Sequence, residues 1–238
     1  MLSEQSNYEK LDSIADYSKK NAGEKAAEYI ENGMVVGLGS GSTVYWMMKL
    51  LSNKIKQGLK MNGVPSSKRT ENWAKEFGIP LCDPSSVKTL DLVVDGADEI
   101  DPHFNLLKGG GGSLVREKIV MAGAEKVIII GDQSKMVETL GARALPVEVL
   151  PFGLSMTMKR LQILGCTTEV RKKDGQTFVS DNGNVIVDCK FGRMTEPESI
   201  HFKIKQLIGV VETGIFTNMA DVVLIGGEKG VEVLSRRI

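Results

Sequence analysis

Residues 34–43 read Met34-Val35-Val36-Gly37-Leu38-Gly39-Ser40-Gly41-Ser42-Thr43. The apolar run ending at Leu38 is too short for a helix. It feeds a loop of glycines and hydroxyls, and helical spacing resumes over Val44 to Leu51. A buried strand, a tight loop and a helix in that order form the repeating unit of parallel α/β sheets. Upstream, Ile14 to Ile30 carries Ala, Glu and Lys with apolar residues at helical spacing and stops at Asn32-Gly33, a helix-ending pair. Downstream the alternation recurs. Leu92-Val93-Val94 enters Asp95-Gly96, a Gly-rich loop leads to a helix from Ser113, Val127 to Ile130 makes another buried strand, and Val222 to Ile225 precedes Gly226-Gly227. The predicted fold is a Rossmann-like α/β domain, a mostly parallel sheet with helices on both faces. Ligands of such sheets sit at the carboxyl ends of the strands, where the loops rich in Gly, Ser and Asp are expected.

Between residues 146 and 214 the pattern changes. A helix around Ser155 to Leu164 and a strand over Thr167 to Arg171 are followed by Asn182-Gly183, which lies between Phe178-Val179 and Val185-Ile186-Val187 and signals a hairpin. We expect a small α+β domain over 146–214, a lid or an oligomer interface, set into a main domain of residues 1–145 and 215–238 that carries the active site. No internal repeat or low-complexity tract interrupts this plan.

The 238 residues suffice for such a core without a disulfide framework or a stabilising metal. Lys plus Arg equal Asp plus Glu at 30 each, and that neutrality argues against a nucleic acid or an anionic membrane as the main partner. Cys82, Cys166 and Cys189 are too far apart for a CxxC pair, and their odd number fits a reducing compartment, so we expect three small buried hydrophobes. The same packing role is expected of Met47, Met48, Met156 and Met158. No apolar stretch resembles a signal-peptide core or a bilayer span, which makes a cytoplasmic location the expectation. His103 and His201 lack a second His or Cys at ligand spacing, so a zinc site is not expected.

Three loops carry the chemistry. The first, 37–43, opens a helix, where free backbone N–H groups and the helix dipole favour an anion. It begins like the dinucleotide fingerprint GxGxxG, but its sixth position is Ser42, and its hydroxyls suit phosphate or sugar oxygens better than a nicotinamide cofactor. In the second, Asp95-Gly96-Ala97-Asp98-Glu99-Ile100-Asp101, four carboxylates fall within seven residues, a costly concentration of like charge unless something uses or offsets it. An EF-hand is excluded, because Ile100 and Leu106 stand at the sixth and twelfth positions; a magnesium site or a solvated acidic turn competes with acid–base work on a polyol. The third, Lys108-Gly109-Gly110-Gly111-Gly112-Ser113, places its Lys before the glycines, so it is not a Walker loop, and it reads as a nest for an anion or a developing oxyanion. A flexible linker is the bland alternative.

In the helix that follows, Glu117 falls between Val120 and Met121 on a helical projection, so its carboxylate is expected to leave beside apolar neighbours, with a raised pKa that suits a general base. A surface Glu paired with Arg116 or Lys118 is the competing reading. Lys135, behind another strand, is placed either to bind phosphate as a point charge or simply at the surface.

Taken together, GLGSGSTV at 37–44, VDGADEID at 94–101, KGGGG at 108–112 and REK at 116–118 resemble ribose-5-phosphate isomerases of the A type. LPVEVLP at 145–151, SDNGNVIVD at 180–188 and ADVVLIG at 220–226 extend the likeness over nearly the whole chain. The resemblance implies interconversion of ribose 5-phosphate and ribulose 5-phosphate in the non-oxidative pentose phosphate pathway, with no cofactor and no metal, by a homodimer or larger homo-oligomer. It implies Glu117 as general base, Asp95 and Lys108 as the groups that handle the oxygens, and Asp98 as a substrate-binding carboxylate. Ser40, Gly41, Ser42, Thr43, Gly96, Ala97, Gly109, Gly110, Gly111 and Lys135 are the remaining implied substrate contacts. Many relatives carry Thr at Ser40, a change that keeps the hydroxyl. A sugar-phosphate sensor domain and a dehydrogenase are the alternatives; the first has no use for Glu117, and the second would bind a nicotinamide.

Overall fold

The computed structural model describes residues 13–236, so the polar lead from Met1 to about Lys10 lies outside the described residues. The strands run β1 (Val35–Leu38), β2 (Asn62–Pro65), β3 (Leu92–Gly96), β4 (Glu99–Ile100), β5 (Leu106–Leu107), β6 (Val127–Asp132), β7 (Leu145–Val149), β8 (Thr167–Val170), β9 (Lys172–Lys173), β10 (Gln176–Thr177), β11 (Val185–Lys190), β12 (Val210–Thr213), β13 (Ile215–Phe216), β14 (Val222–Gly227) and β15 (Gly230–Ser235). The α-helices are α1 (Ile14–Ala26), α2 (Ser42–Lys56), α3 (Lys68–Glu76), α4 (Leu114–Ala122), α5 (Leu154–Ile163) and α6 (Pro197–Lys205). They divide between two compact units. The first holds the described residues through Gly96, then Ile119–Lys135, then those from Ala220 onward; the second holds Ala97–Lys118 and Met136–Met219.

The first unit is built on a six-stranded sheet of order β15-β14-β6-β3-β1-β2. Its pairs are parallel except for the β14–β15 hairpin, so the predicted, mostly parallel α/β sheet is what forms. The central strand β6 is buried along its full length, as its unbroken Val-Ile-Ile-Ile run requires. Leu38, Met47, Met48, Leu51, Val94, Ile128, Ile130 and Leu224 share the core beneath it. From β1 the chain passes outward to β2 and then returns to β3 on the other side of β1. The order therefore reverses between β1 and β3, and at such a point the loops leaving neighbouring carboxyl ends part to form a crevice.

Strand β2 and helix α3 had no clear sequence signal. Asn62-Gly63-Val64-Pro65 is strand because it pairs residue for residue with β1, and α3 buries only Thr70, Trp73 and Ala74 of a mostly polar stretch. Ser67 starts that helix: its hydroxyl accepts from the Thr70 N–H at 3.0 Å.

The second unit contains an antiparallel sheet of order β12-β7-β11-β8 and a three-stranded sheet of order β13-β5-β4. Leu107, Leu145, Val147, Leu161, Val187, Ile204 and Ile215 join one core in it. The expected small domain, 146–214, lies inside this unit, which also takes in 97–118, 136–145 and 215–219, all expected in the main domain, because β4 and β5 pair toward β13 and β7 pairs with β11 and β12. The expected hairpin at Asn182-Gly183 shrinks to a turn closed by a single bridge, Val179 to Val185. The two-stranded hairpin forms instead at β9–β10 around Asp174 and Gly175, whose positive φ angles of 52° and 78° make the tight turn. Cys166 and Cys189 are buried as expected, whereas Cys82 is half-buried. Met47 and Met48 are fully buried, but Met156 is 70% exposed and is not a packing residue of the described chain.

Replacing Ser67 by Ala should cost about 1–3 kcal/mol of unfolding free energy, because it removes the helix cap and leaves buried hydroxyls that bond to Ser67 without that partner. Urea titration followed by circular dichroism measures it.

Candidate active site

At the sheet reversal in the first unit, the loop after β1 is tied to β3 by two bonds. The Gly39 N–H donates to the Val94 carbonyl at 2.9 Å, and the Ser40 N–H donates to Asp95 Oδ1 at 2.9 Å. The Gly96 N–H donates to the same oxygen at 2.7 Å, so Asp95, only 1% exposed, is held by one amide of the loop after β1 and one at the end of β3. The fit is close. A Cβ on Gly39 would overlap the Asp95 side chain and its Cα, which explains the glycine there.

The Ser40 hydroxyl donates to Ser67 Oγ at 2.7 Å and lies 3.0 Å from Thr70 Oγ1, which in turn donates to the Gly39 carbonyl at 2.8 Å. Ser40 is thus a framework group in the structure, part of a buried hydroxyl cluster with Ser66, Ser67 and Thr70. Sequence reading missed that cluster, although Ser66-Ser67 before a polar stretch was an available helix-start signal. Gly41, at φ 114°, is the N-cap of α2 and supplies no capping side chain, so the first-turn N–H groups of Ser42 and Thr43 have no side-chain cap from that position. Gly41 and Ser42 are half-buried, as is Lys135 in the 3-10 turn that follows β6, two strands along the same sheet edge.

The second unit brings together Lys108 and Glu117. Lys108 Nζ lies 3.4 Å from Glu117 Oε2, and the two side chains are 3% and 7% exposed. The Lys108 backbone N–H donates to the Gly214 carbonyl at 2.8 Å, and its ammonium lies 5.6 Å from the centre of the buried Phe216 ring. Glu117 sits one turn into α4, its N–H bonded to the Ser113 carbonyl at 3.0 Å. Arg116 and Lys118 make ion pairs with Asp181 and Glu212. The competing reading, in which Glu117 is a surface group serving one of those cations, fails on its burial and on its contact with Lys108.

Asp98 is half-buried, and its Oδ2 accepts from the Gly110 N–H at 2.7 Å. Arg171 donates to the carbonyls of Gly109 at 2.6 Å and Gly110 at 3.1 Å, so the glycine loop is gripped from both sides and is not a flexible linker. Gly110 and Gly111 remain exposed and Gly109 is buried. The loop leaves β5 of the small antiparallel sheet rather than a strand of the parallel one, contrary to the expectation for loops of this composition. Arg171 was not foreseen, because it lies far away in sequence and matches no motif.

The other two acidic-loop carboxylates are structural. Glu99 accepts from the Gly141 and Arg143 N–H groups, and Asp101 from the N–H groups of His103 and Asn105 and from the Asn105 amide. The four carboxylates therefore turn to four separate sets of amide donors, which is how the chain tolerates them so close together.

Adding a methyl at position 39 tests the hold on Asp95. For Gly39→Ala, whose new Cβ would lie 2.2 Å from the Asp95 carboxyl, we expect unfolding free energy to fall by about 1–3 kcal/mol, as overpacking commonly costs, measured by urea titration. Far-UV dichroism of the same variant should be retained.

Residues 62–230, well over half of the chain, match the family model of ribose 5-phosphate isomerase A (phosphoriboisomerase A). The ribose-5-phosphate isomerase A 1 of Oceanobacillus iheyensis is 50% identical over 219 residues, covering 92% of this chain and 98% of the relative. The Bacillus mycoides ribose-5-phosphate isomerase A is 46% identical over 90% of this chain and 97% of its own length. Among solved structures, the Plasmodium falciparum ribose 5-phosphate isomerase superimposes with a TM-score of 0.89 at 40% identity, covering 92% of this chain and 98% of that one. A D-ribose-5-phosphate isomerase in complex with phospho-erythronic acid gives 0.88 at 38% identity, covering 92% and 97%. With sequence motifs, sheet order and the buried Lys–Glu pair already in place, these matches establish that the chain belongs to the ribose 5-phosphate isomerase A family.

Proposed function

We propose that this chain interconverts D-ribose 5-phosphate and D-ribulose 5-phosphate through an enediolate, in the non-oxidative branch of pentose phosphate metabolism. The observation that carries this reading is the buried Lys108–Glu117 pair, 3.4 Å apart, in a chain of this family. An aldose becomes a ketose when the proton on C2 is removed and one is returned to C1, while the hydroxyl proton moves between the two oxygens. A carboxylate suits the first task and a fixed cation the charge that grows on oxygen.

Glu117 is the proposed general base that takes the C2 proton and delivers it to C1. Lys108 holds the developing oxyanion. Asp95, fixed by the Ser40 and Gly96 amides, assists ring opening and passes the proton from one oxygen to the other. Gly41, Ser42 and Thr43 at the start of α2, with Lys135, take the phosphate. Asp98, Gly96, Ala97, Gly109, Gly110 and Gly111 line the sugar, while Ser40 contributes through its backbone and the loop it ties down. The ligand in the superimposed isomerase, phospho-erythronic acid, supports this scheme, since it joins a phosphate to a planar, negatively charged acid group, as a sugar-phosphate enediolate joins a phosphate to a planar, negatively charged centre. No cofactor enters any of these steps.

Among the described residues no helix is long and apolar enough to cross a membrane. A cytoplasmic enzyme and a homodimer are part of the proposal. The exposed side chains of Leu150, Phe152, Met156 and Ile208, which line one shallow apolar depression in the second unit, support self-association.

Glu117→Gln should lower kcat on ribose 5-phosphate by about 10²–10⁴-fold with little change in KM. Wild-type turnover should be the same in EDTA. A fully active Glu117→Gln enzyme would remove the base from the scheme, and inhibition by EDTA would add a metal to it. For Lys135→Ala we expect a raised KM and a nearly unchanged kcat; an unaltered KM would return Lys135 to the surface.

A further inference from the structure

Glu117 is flanked in sequence by two cations, and both are used. Arg116 donates from Nε to Asn182 Oδ1 at 2.8 Å and from Nη2 to the Asp181 carbonyl at 2.9 Å. Lys118 donates to Glu212 Oε1 at 2.9 Å, to the Thr213 carbonyl at 2.9 Å and to the Ile215 carbonyl at 2.7 Å, which engages all three of its N–H bonds. Neighbours on a helix point about 100° apart, so these side chains leave α4 on opposite flanks of Glu117.

Both anchors are firm. Asn182 donates from Nδ2 to Glu148 Oε1 at 3.1 Å, and the same oxygen accepts from Ser180 Oγ at 3.0 Å and Asn184 Nδ2 at 2.8 Å. Glu148 is fully buried on β7, an interior strand of its sheet. An amide side chain accepts through its oxygen and donates through its nitrogen, and Asn182 uses both to link the Arg116 guanidinium to the Glu148 carboxylate. On the other flank, Glu212 is also bound by Lys205 at 3.0 Å and accepts from the Thr213 N–H at 2.8 Å. Lys118 lies 4.5 Å from the centre of the Phe216 ring, the same ring that Lys108 approaches. Burial pushes the Lys118 ammonium down to about 8, against the opposing pull of Glu212.

We propose that Arg116 and Lys118, anchored through Asn182–Glu148 and through Glu212, are positioning residues that block rotation of α4 in either sense and so keep the Glu117 carboxylate aimed at Lys108 and the substrate. The proposal rests on the reading of Glu117 as the base. A glutamate carboxylate stands about 6 Å from its helix axis, so a rotation of about 10° displaces it by about 1 Å. Displacements of that size can cost about 10²-fold in rate. The two tethers also explain why a basic residue stands on each side of a base: their charges are directed away from it, into separate anchors.

The test compares Arg116→Gln and Lys118→Met with wild type, each also combined with Glu117→Gln. Arg116 is about one-third exposed, so its variant exposes its former partners to water without opening a cavity. Each single variant should lose at least about tenfold in kcat with KM for ribose 5-phosphate changed less than about twofold. Neither should lose anything further on the Glu117→Gln background, because a residue that acts through the base has nothing left to act on. Unchanged kcat in both single variants, or the same fractional loss with and without Glu117, would overturn the proposal. Should Lys118→Met fail to fold, Arg116→Gln and Asn182→Ala on the more exposed tether decide the question alone. Glu117→Gln with wild-type turnover would instead sink the assignment of the base, a different result from an inactive Glu117→Gln beside unaffected tether variants.

Discussion

Two opposite charges taken out of water, the ammonium of Lys108 and the carboxylate of Glu117, set the terms for the second unit of this chain. Each would cost several kcal/mol to bury alone, and their mutual attraction offsets that cost only if the geometry is held. The surroundings supply the hold. The Gly214 carbonyl fixes the Lys108 backbone, the Phe216 ring lies against its ammonium, and α4 is tied on either side of Glu117. A pair so placed is poorly solvated, which strengthens its action on any charge that develops nearby.

The same problem of buried charge is solved differently along the acidic loop. There backbone N–H groups are among the partners of every carboxylate. Asp95 takes two from the first unit, while Asp98, Glu99 and Asp101 take theirs from separate turns of the second. Amide partners cannot be lost to a change of protonation and do not neutralise the carboxylate. A loop built this way has its shape fixed by donors that do not titrate. The glycines that follow serve close approach as well as anion binding: a Cβ on Gly110 would lie 2.7 Å from Asp98 Oδ1.

Much of this was legible before any coordinates. The apolar runs at β1, β3, β6 and β14 are short, continuous and followed by Gly or Asp, so strand and loop could be read directly, and with them the mostly parallel sheet. The motifs at 37–44, 94–101, 108–112 and 116–118 carried the family. Elements that depend on partners for their form were not legible. Asn62-Gly63-Val64-Pro65 becomes a strand only by pairing with β1, and Asn182-Gly183, a good hairpin signal, yields a turn because β11 pairs with β7 and β8 instead. The domain division expected at residue 146 failed to anticipate that the two-residue strands β4 and β5 would pair toward β13.

The sequence by itself determined the alternation of strand and helix, the family and the types of group available for chemistry, because each of these is written in local spacing and composition. Tertiary structure alone decided which charge meets which. Glu117 stands between two cations in sequence, and yet its carboxylate lies against Lys108, nine residues earlier, while Arg116 and Lys118 reach to Asn182 and to Glu212. The physical reason is that an α-helix turns successive side chains about 100° apart. Neighbours in the chain are thereby sent to different surroundings, and only the fold determines what those surroundings contain.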